Sequence, residues 1–510
     1  MRIEKFKLTT AQLAVGIAIL TLGTKLLAFV RELVLANFFG AGTVTDAYVM
    51  AQSIPNILLA GLISAAAISY MPIFSRITES EGLREGNLFT SRLLNAMLII
   101  SVAAAVLGAI FARHLVSVFA RGYDEPTAAL TAWYLRPAFA MAIFNVLVYI
   151  FEAFLQYKEI FFPQIIFGYL QNISVIAFVV IAAKTDYHLL ILGTLVGWVA
   201  RGLGCLWTAR RRGYRYSADF KFDAAVKEAV TLALPIFIGG SVNQINTFVD
   251  RALASDLRSG SVSALNYGNT IINSIVMLTV SILVIIVYPK LNKAFAAGDR
   301  ERVGELAERG INILALISIP FSMGAMLYAR PVIQLIYEHG AFDAAATDLT
   351  SSAFFYYAIG LSFITFNQLI TKVFYSMHDT KTAVGCSVVA VAVNIVLNLI
   401  LVRYMQHSGL ALATSIAQAL NAALLWYSFR RKHPDIELLS SKRKLLQVFI
   451  FSAISVGISY LCFRLLNDTI ICSQMPSMLA ALALAVLLYL LLLKIAKFSE
   501  LSLIKDLFGQ

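Results

Sequence analysis

Charge is scarce in this chain. Only 14% of its 510 residues are Asp, Glu, Lys or Arg, and 59% are hydrophobic. A soluble globular domain carries about 25% charged and roughly 45–50% apolar residues, so this balance excludes a soluble globular protein. The four cysteines (Cys205, Cys386, Cys462 and Cys472) form no CxxC pair, and the six histidines are scattered. That spacing excludes a zinc ribbon, a zinc finger or a thiol redox centre, and no metal site is expected. There is no GxxxxGK[ST] stretch, so ATP is not expected as a direct driver. The connections between apolar runs are short, and the richest of them (209–227) is basic. An enzyme acting at the membrane would want carboxylates poised in a sizeable loop. The expectation is therefore no catalytic residue, no cofactor and no enzyme.

What is present is hydrophobic length. Runs of about 20 apolar residues, enough to cross a bilayer, occur fourteen times between 9–39 and 475–495. The start, "MRIEKFK", is basic, but the run that follows outlasts a signal peptide and has no small-residue cleavage site. The reading is an all-α polytopic membrane protein with 14 transmembrane helices. Its basic residues gather on alternate connections: Arg2, Lys5 and Lys7; Arg210, Arg211, Arg212, Arg215, Lys221 and Lys227; Lys290, Lys293, Arg300 and Arg302; Arg430, Arg431, Lys432, Lys442, Arg443 and Lys444. The positive-inside rule places these, and both termini, in the cytoplasm. The net charge of +12 is thus a topology signal and not a nucleic-acid footprint.

The two halves resemble each other. "ARHLVSVFARG" (112–122) matches "ARPVIQLIYEHG" (329–340), "FLQYK" (154–158) matches "FYSMH" (374–378), and "LWTARRR" (206–212) matches "LWYSFRR" (425–431). The offsets, in chain order, are 217, 220 and 219 residues, the signature of an internal repeat. The offset spans an even number of helices, so the copies are parallel repeats. The chain divides into an N-lobe (1–222, helices one to six), a C-lobe (223–433, helices seven to twelve) and two C-terminal helices (434–510) outside the repeat. Two facing lobes suit a transporter that works by alternating access.

Charges inside spans then become the candidate site, because such a charge costs at least about 2.5 kcal/mol on insertion scales. The first helix carries Lys25, Arg31 and Glu32, with Thr24 and Arg31 two turns apart on one face. Asp46, Glu152, Asp250, Arg251 and Lys372 follow. Lys25, Arg31 and Arg251 would suit an anionic substrate, since guanidinium binds phosphate through paired donors. Neighbour neutralisation or snorkelling at the helix end is the bland alternative for Arg31 and Glu32. Glu152 and Lys372 occupy equivalent repeat positions and form a candidate gating pair; the alternative is that each faces polar groups of its own lobe. Proline and glycine interrupt "SIPNILLAG" (53–61) and "LPIFIGGSVNQ" (234–244), where a helix can bend.

"RELVLANFFGAGTVTDAYVMAQSIPN" (31–56), "LPIFIGGSVNQINTFVDRALAS" (234–255), "EHGAFDAAATDLT" (338–350), "FYSMHDTKTAV" (374–384) and "GLALATSIAQALNAALL" (409–425) together resemble the MurJ (MviN) family of the MOP superfamily, the lipid II flippases. The resemblance implies fourteen helices in two lobes, a groove for a lipid tail formed by the last two, and a central cationic cavity for a pyrophosphate-sugar head group. It also implies a bacterial cytoplasmic (inner) membrane location, a polyprenyl-pyrophosphate-linked glycan and membrane lipids as partners, and the cell-wall synthesis machinery as neighbour. The implied site comprises Lys25, Arg31, Glu32, Asp46, Arg251 and Thr270. The match has gaps. Thr24-Lys25 and Arg31-Glu32 stand where the family has Ser-Arg and Arg-Asp. "ILLAGLISAAA" (57–67), around Ala60, lacks an expected arginine pair, and Thr270 stands for an expected cavity arginine, for which Arg251 is the candidate to compensate. These departures keep another polyprenyl-linked oligosaccharide (a capsule, teichoic or exopolysaccharide unit) as an alternative cargo. A MATE-type cation-coupled exporter and a scaffold that has lost transport are the rivals further off. Coupling to an ion gradient or to the membrane potential is left open.

Overall fold

The computed structural model describes residues 10–434, 436, 442–469 and 474–498. Arg2, Lys5 and Lys7, Cys472 and the tail from 499 lie outside them. Among the described residues the chain is helical, with no strand. It separates into two compact units: Met1–Ser263 with His339–Phe342, and Ala264–Glu338 with Asp343–Gln510.

The first unit holds α1 (Thr10–Phe39), α2 (Thr43–Pro55), α3 (Gly61–Glu81), α4 (Leu83–Ile110), α5 (Ala112–Phe119), α6 (Glu125–Tyr157), α7 (Phe162–Lys184), α8 (Leu190–Arg211) and α9 (Ala224–Ser255). The interruption expected at "SIPNILLAG" is real. A π-helical turn, Asn56–Ala60, follows Pro55 and joins α2 to α3 at a bend of 45°. Such turns are a recognised source of helix bending. At "LPIFIGGSVNQ", by contrast, α9 runs on as one helix. It packs on α3, so the compact units divide one helix and its turn later than the repeat does.

In lipid, apolar surface alone does not drive helices together, and small residues let backbones approach. Gly193 and Gly197 of α8 do this against α7: a Cβ on Gly197 would lie 2.9 Å from the Gln171 carbonyl oxygen. The aromatic centre of the unit is Tyr70, Phe74, Phe89, Phe151, Phe154 and Tyr214, all buried. Tyr214 belongs to the connection after α8, which Arg92 of α4 clamps through Asp219 (2.7 Å) and Asp223. The turns at Gly40 and Gly340 both have left-handed backbones (φ 63° and 62°), and the Ala341 N–H donates to the Asn37 carbonyl at 2.8 Å.

The second unit holds α10 (Ser261–Ala296), whose first turn lies in the first unit, α11 (Arg300–Leu327), α12 (Ala329–Tyr337), α13 (Ala344–Ser376), α14 (Thr380–Lys432), α15 (Lys442–Thr469) and α16 (Gln474–Ile495). Within α14, Gln406 has φ 53° and ψ −135°, so its 53 residues are two helices meeting at a kink. Nine described helices are long and apolar enough to cross a membrane, or ten if the bent pair α2–α3 is one span.

The repeat is visible in local structure. In each unit a long helix breaks at an aromatic residue (Phe111, φ −90°; Tyr328, φ −97°) into a short amphipathic helix, α5 or α12. A 33-residue helix follows, α6 or α13, opened by an aspartate cap: Asp124 accepts from the Thr127 N–H and Asp343 from the Ala346 N–H. Each then ends before a left-handed residue, Glu159 (φ 58°) or His378 (φ 59°). Aspartate suits these starts because its carboxylate satisfies N–H groups that a first helical turn leaves without partners.

Candidate functional site

In the first unit α1 packs along α7. The Tyr169 hydroxyl donates to the Leu20 carbonyl at 3.0 Å, and Thr24 lies against Gly168. The face shared by Thr24 and Arg31 is thereby turned to α7. Arg31 donates to the Glu32 carboxylate at 2.7 Å and to the Asn172 side-chain oxygen at 3.3 Å, and Asn172 is itself anchored on the Gly168 carbonyl. The Arg31 side chain keeps 30% of its surface exposed, against 13% for Glu32. A guanidinium has five N–H donors in a fixed fork, so two bonds to the chain aim the group without consuming it. Lys25, one turn and a half earlier, is exposed. It makes no ion pair among the described residues.

Asp46 is only 2% exposed. Its carboxylate accepts from the Gly260 N–H (2.7 Å), the Ser263 N–H (2.7 Å) and the Ser263 hydroxyl (2.6 Å). These are the first donors of α10, so Asp46 acts as a cap delivered from more than two hundred residues away. Arg251 is half-buried, with a guanidinium N–H at 3.5 Å from the Val49 carbonyl. Glu152 sits on α6 and accepts from Nε and Nη2 of Arg201 at 3.0 and 2.7 Å, while Nη1 of Arg201 reaches Gln171 at 2.9 Å. Arg201 also lies over the Trp198 ring. Glu152 therefore has a counter-ion within its own unit.

In the second unit Thr270 is half-buried and donates to the Asn266 carbonyl one turn back, at 2.7 Å. Lys372 lies 5.5 Å from the Tyr288 ring centroid and 5.8 Å from that of Tyr375, contacts that favour a cation on aromatic faces. This unit also contains an apolar groove of 640 Å³ lined by α10, α11, α12, α13, α15 and α16, with Ile271, Leu316, Pro320, Val456, Val486 and Leu490 on its walls. Hydroxyl contacts fix its frame: Tyr489 donates to the Leu316 carbonyl (2.9 Å), and Ser459 ties α15 to the Ala481 carbonyl of α16 (2.6 Å). The two helices outside the repeat thus build one side of a groove.

The sequence reading missed Arg201 and Asn172. Arg201 had a signal, a lone arginine within "GWVARGLG". Asn172 had none, because a single asparagine is common in membrane helices that pack through polar side chains.

Comparison with known proteins decides the family. The family model described as lipid II flippase MurJ matches residues 35–480. The chain belongs to the MurJ family. A relative from Rhizobium tropici named probable lipid II flippase MurJ is 26% identical over 460 residues, covering 87% of this chain and 85% of its own. The lipid II flippase MurJ of Burkholderia cenocepacia is 27% identical over 436 residues, 81% of this chain and 82% of that one. Among solved structures, a lipid II flippase MurJ in an inward closed conformation superposes with a TM-score of 0.82 at 24% identity, covering 94% of this chain and 98% of that one. An inward-facing multidrug-resistance MATE transporter of the MOP superfamily gives 0.61 at 15% identity, covering 83% and 99%. The MurJ fold thus fits better than the MATE fold, as the helices beyond the repeat predict.

Proposed function

We propose that the chain is a lipid II flippase, moving undecaprenyl-pyrophosphate-linked peptidoglycan precursor from the inner to the outer leaflet of a bacterial cytoplasmic membrane by alternating access. The observation that carries this is the MurJ family match across nearly the whole chain, and the apolar groove against α15 and α16 supports it. On this reading the protein has fourteen spans, both termini lie in the cytoplasm, and no covalent chemistry is performed.

Carrying a doubly anionic pyrophosphate through hydrocarbon unaided is prohibitive, because the charge loses its hydration. Arg31, aimed by Glu32 and Asn172 and partly exposed, replaces part of that hydration with fixed donors, and Lys25 and Arg251 add charge nearby in sequence or fold. The groove of the second unit takes the polyprenyl tail, which gains nothing from leaving an apolar surrounding. The membrane potential contributes about 2.3 kcal/mol per charge per 100 mV, enough to bias a two-state cycle. Proteins of cell-wall synthesis are the proposed suppliers and consumers of the cargo.

The test is replacement of the resident lipid II flippase in a bacterium where that protein can be switched off. The readout is cleavage of outer-leaflet lipid II by an externally added lipid II-degrading toxin. Sustained cleavage and growth are expected. A properly inserted protein giving no cleavage overturns lipid II as cargo and favours another polyprenyl-linked oligosaccharide, the reading kept open by Thr270 standing in place of an arginine.

A further inference from the structure

A second cavity in the second unit lies on the other face of α11. Its 340 Å³ are bounded by α11, α13, the end of α14 and the start of α15, and its walls include Ala315, Phe363, Phe366, Ala423, Trp426 and Leu445. The groove described above uses Leu316, Pro320 and Gly324 of α11, so the two spaces are separated by the body of that helix. The cavity exists because α15, which has no counterpart in the first repeat, leans on α11 through Val448 and Leu316, leaving a wedge open toward α13 and α14.

Depth and charge identify what fits there. Leu445 comes three residues after α15 begins and Trp426 six before α14 ends, about 5 and 9 Å along the helix axes. Along α11 the wall begins at Ile311, eleven residues from that helix's start, and runs to Ile319, about 12 Å further along the axis. The cavity therefore runs along about 12 Å of helix axis, most of the hydrocarbon depth of one leaflet, which is about 15 Å, with its shallow end, at Trp426 and Leu445, on the side where basic residues gather. At its shallow end the Arg430 guanidinium lies 5.7 Å from the Trp426 ring centroid, and Arg443, exposed, precedes Leu445 by two residues. The repeat offers an internal comparison. Trp207 and Arg211 form the equivalent pair in the first unit, with Arg211 4.1 Å from the ring centroid, but Trp207 is 53% exposed and lines neither cavity.

We propose that this cavity binds one acyl chain of an anionic phospholipid of the inner leaflet, whose phosphate is held by Arg430 and Arg443. The site is separate from the proposed cargo groove and does not depend on the identity of the cargo. An apolar chamber takes the chain, an interfacial tryptophan stacks at the glycerol level, and two arginines meet the phosphate.

The experiment uses the full-length protein with Trp426 as the only tryptophan, reconstituted in phosphatidylcholine vesicles containing brominated phosphatidylglycerol or brominated phosphatidylcholine as quencher. Brominated phosphatidylglycerol is expected to quench at a lower mole fraction, with about a fivefold preference contributed by each arginine near the surface. Arg430→Gln with Arg443→Gln should bring the two lipids to parity, and both changes are at exposed positions that leave the fold alone. Ala423→Phe, which fills the cavity from an exposed position, should abolish quenching at low mole fraction by either lipid. A protein with Trp207 as its only tryptophan should show a weaker preference, because it has the arginine without the chamber. Equal quenching by the two lipids overturns the proposal, as does equal preference at Trp207. Displacement of the brominated lipid by added undecaprenyl phosphate also overturns it, since the cavity would then belong to the cargo's tail.

Discussion

Replacing Asp46 separates a capping role from a role in holding cargo. The carboxylate accepts three bonds from Gly260 and Ser263. In Asp46→Ala the Ser263 hydroxyl still has the Gly260 carbonyl at 3.2 Å, so two backbone N–H groups lose their acceptor. Each buried group left without a partner costs about 1–3 kcal/mol. Relief of the buried charge offsets part of this, leaving roughly 3 kcal/mol. Asp46→Asn keeps one oxygen for Ser263 but turns an amide N–H₂ toward the Gly260 N–H, and should lose about 1.5 kcal/mol, near the middle of the range for a helix N-cap. The loss is local to the start of α10, so the assay is hydrogen exchange at amides 260–264 in the full-length protein in detergent. Exchange should accelerate by about two orders of magnitude in the alanine variant and about tenfold in the asparagine variant, following the factor of ten per 1.4 kcal/mol. Exchange within threefold of the unmodified protein in both variants, together with lost transport, would refute the cap and return Asp46 to the cargo.

Four further outcomes are expected. Arg31→Glu should abolish lipid II exposure while leaving membrane insertion intact, and Asn172→Ala should lower it about fivefold by loosening the aim of Arg31, a loss of about 1 kcal/mol; full activity of the charge-reversed protein removes Arg31 from phosphate binding. Glu152→Ala leaves Arg201 with Gln171 and the Trp198 ring but no counter-ion among the described residues and should destabilise the protein by about 3 kcal/mol in thermal unfolding, whereas Glu152→Gln with Arg201→Met should come within about 1 kcal/mol of the parent; rescue of Glu152→Lys by Lys372→Glu would instead show that the residues pair across the repeat. The connection after α8 should loosen in acid. The Arg92 guanidinium, and then the Lys221 N–H, hold the Asp219 carboxyl below its ordinary 3.8, so the clamp is fully present above that value and is lost as pH falls through the lower one in the folded protein; cleavage between 214 and 222 by pepsin, measured at each acid pH against an unstructured peptide of the same sequence, follows it, and a ratio that does not change with pH counts against the clamp. Gly340→Ala places a Cβ 2.3 Å from the Asn37 carbonyl oxygen at a φ of 62° and should cost about 1–3 kcal/mol, read as faster exchange at the Ala341 amide; an unchanged rate contradicts the close approach.

Helices, repeat and family were legible because each rests on local pattern. Apolar length marks spans, and the pairs 112–122 with 329–340 and 154–158 with 374–378 fold into matching short helices, caps and turns. The bend after Pro55 was legible for the same reason. Partners were not legible. Asp46 sits in an apolar surrounding like any membrane carboxylate, and nothing near it in sequence announces that its donors are Gly260 and Ser263. Glu152 was matched to Lys372 by repeat position, while its contact is Arg201, reached through the packing of α6 on α8. A groove at the last two helices was expected only from the family resemblance, and its walls and the second cavity escaped the residue pattern because, in a bilayer, a face that meets lipid and a face that meets another helix are both apolar. Hydrophobic periodicity then carries little information about which is which.

The ion pair of Glu152 with Arg201 has a bearing on biogenesis. The two residues are 49 positions apart, and at about 5–20 residues per second the ribosome delivers the arginine roughly 2–10 s after the glutamate. During that interval α6 stands at the insertion machinery with an acid whose base has not been made. Its release into lipid is easier once α8 has emerged, so α6, α7 and α8 are expected to leave the translocon as a group and not one at a time. A charge that steadies the finished protein would in this way also set the order of its assembly.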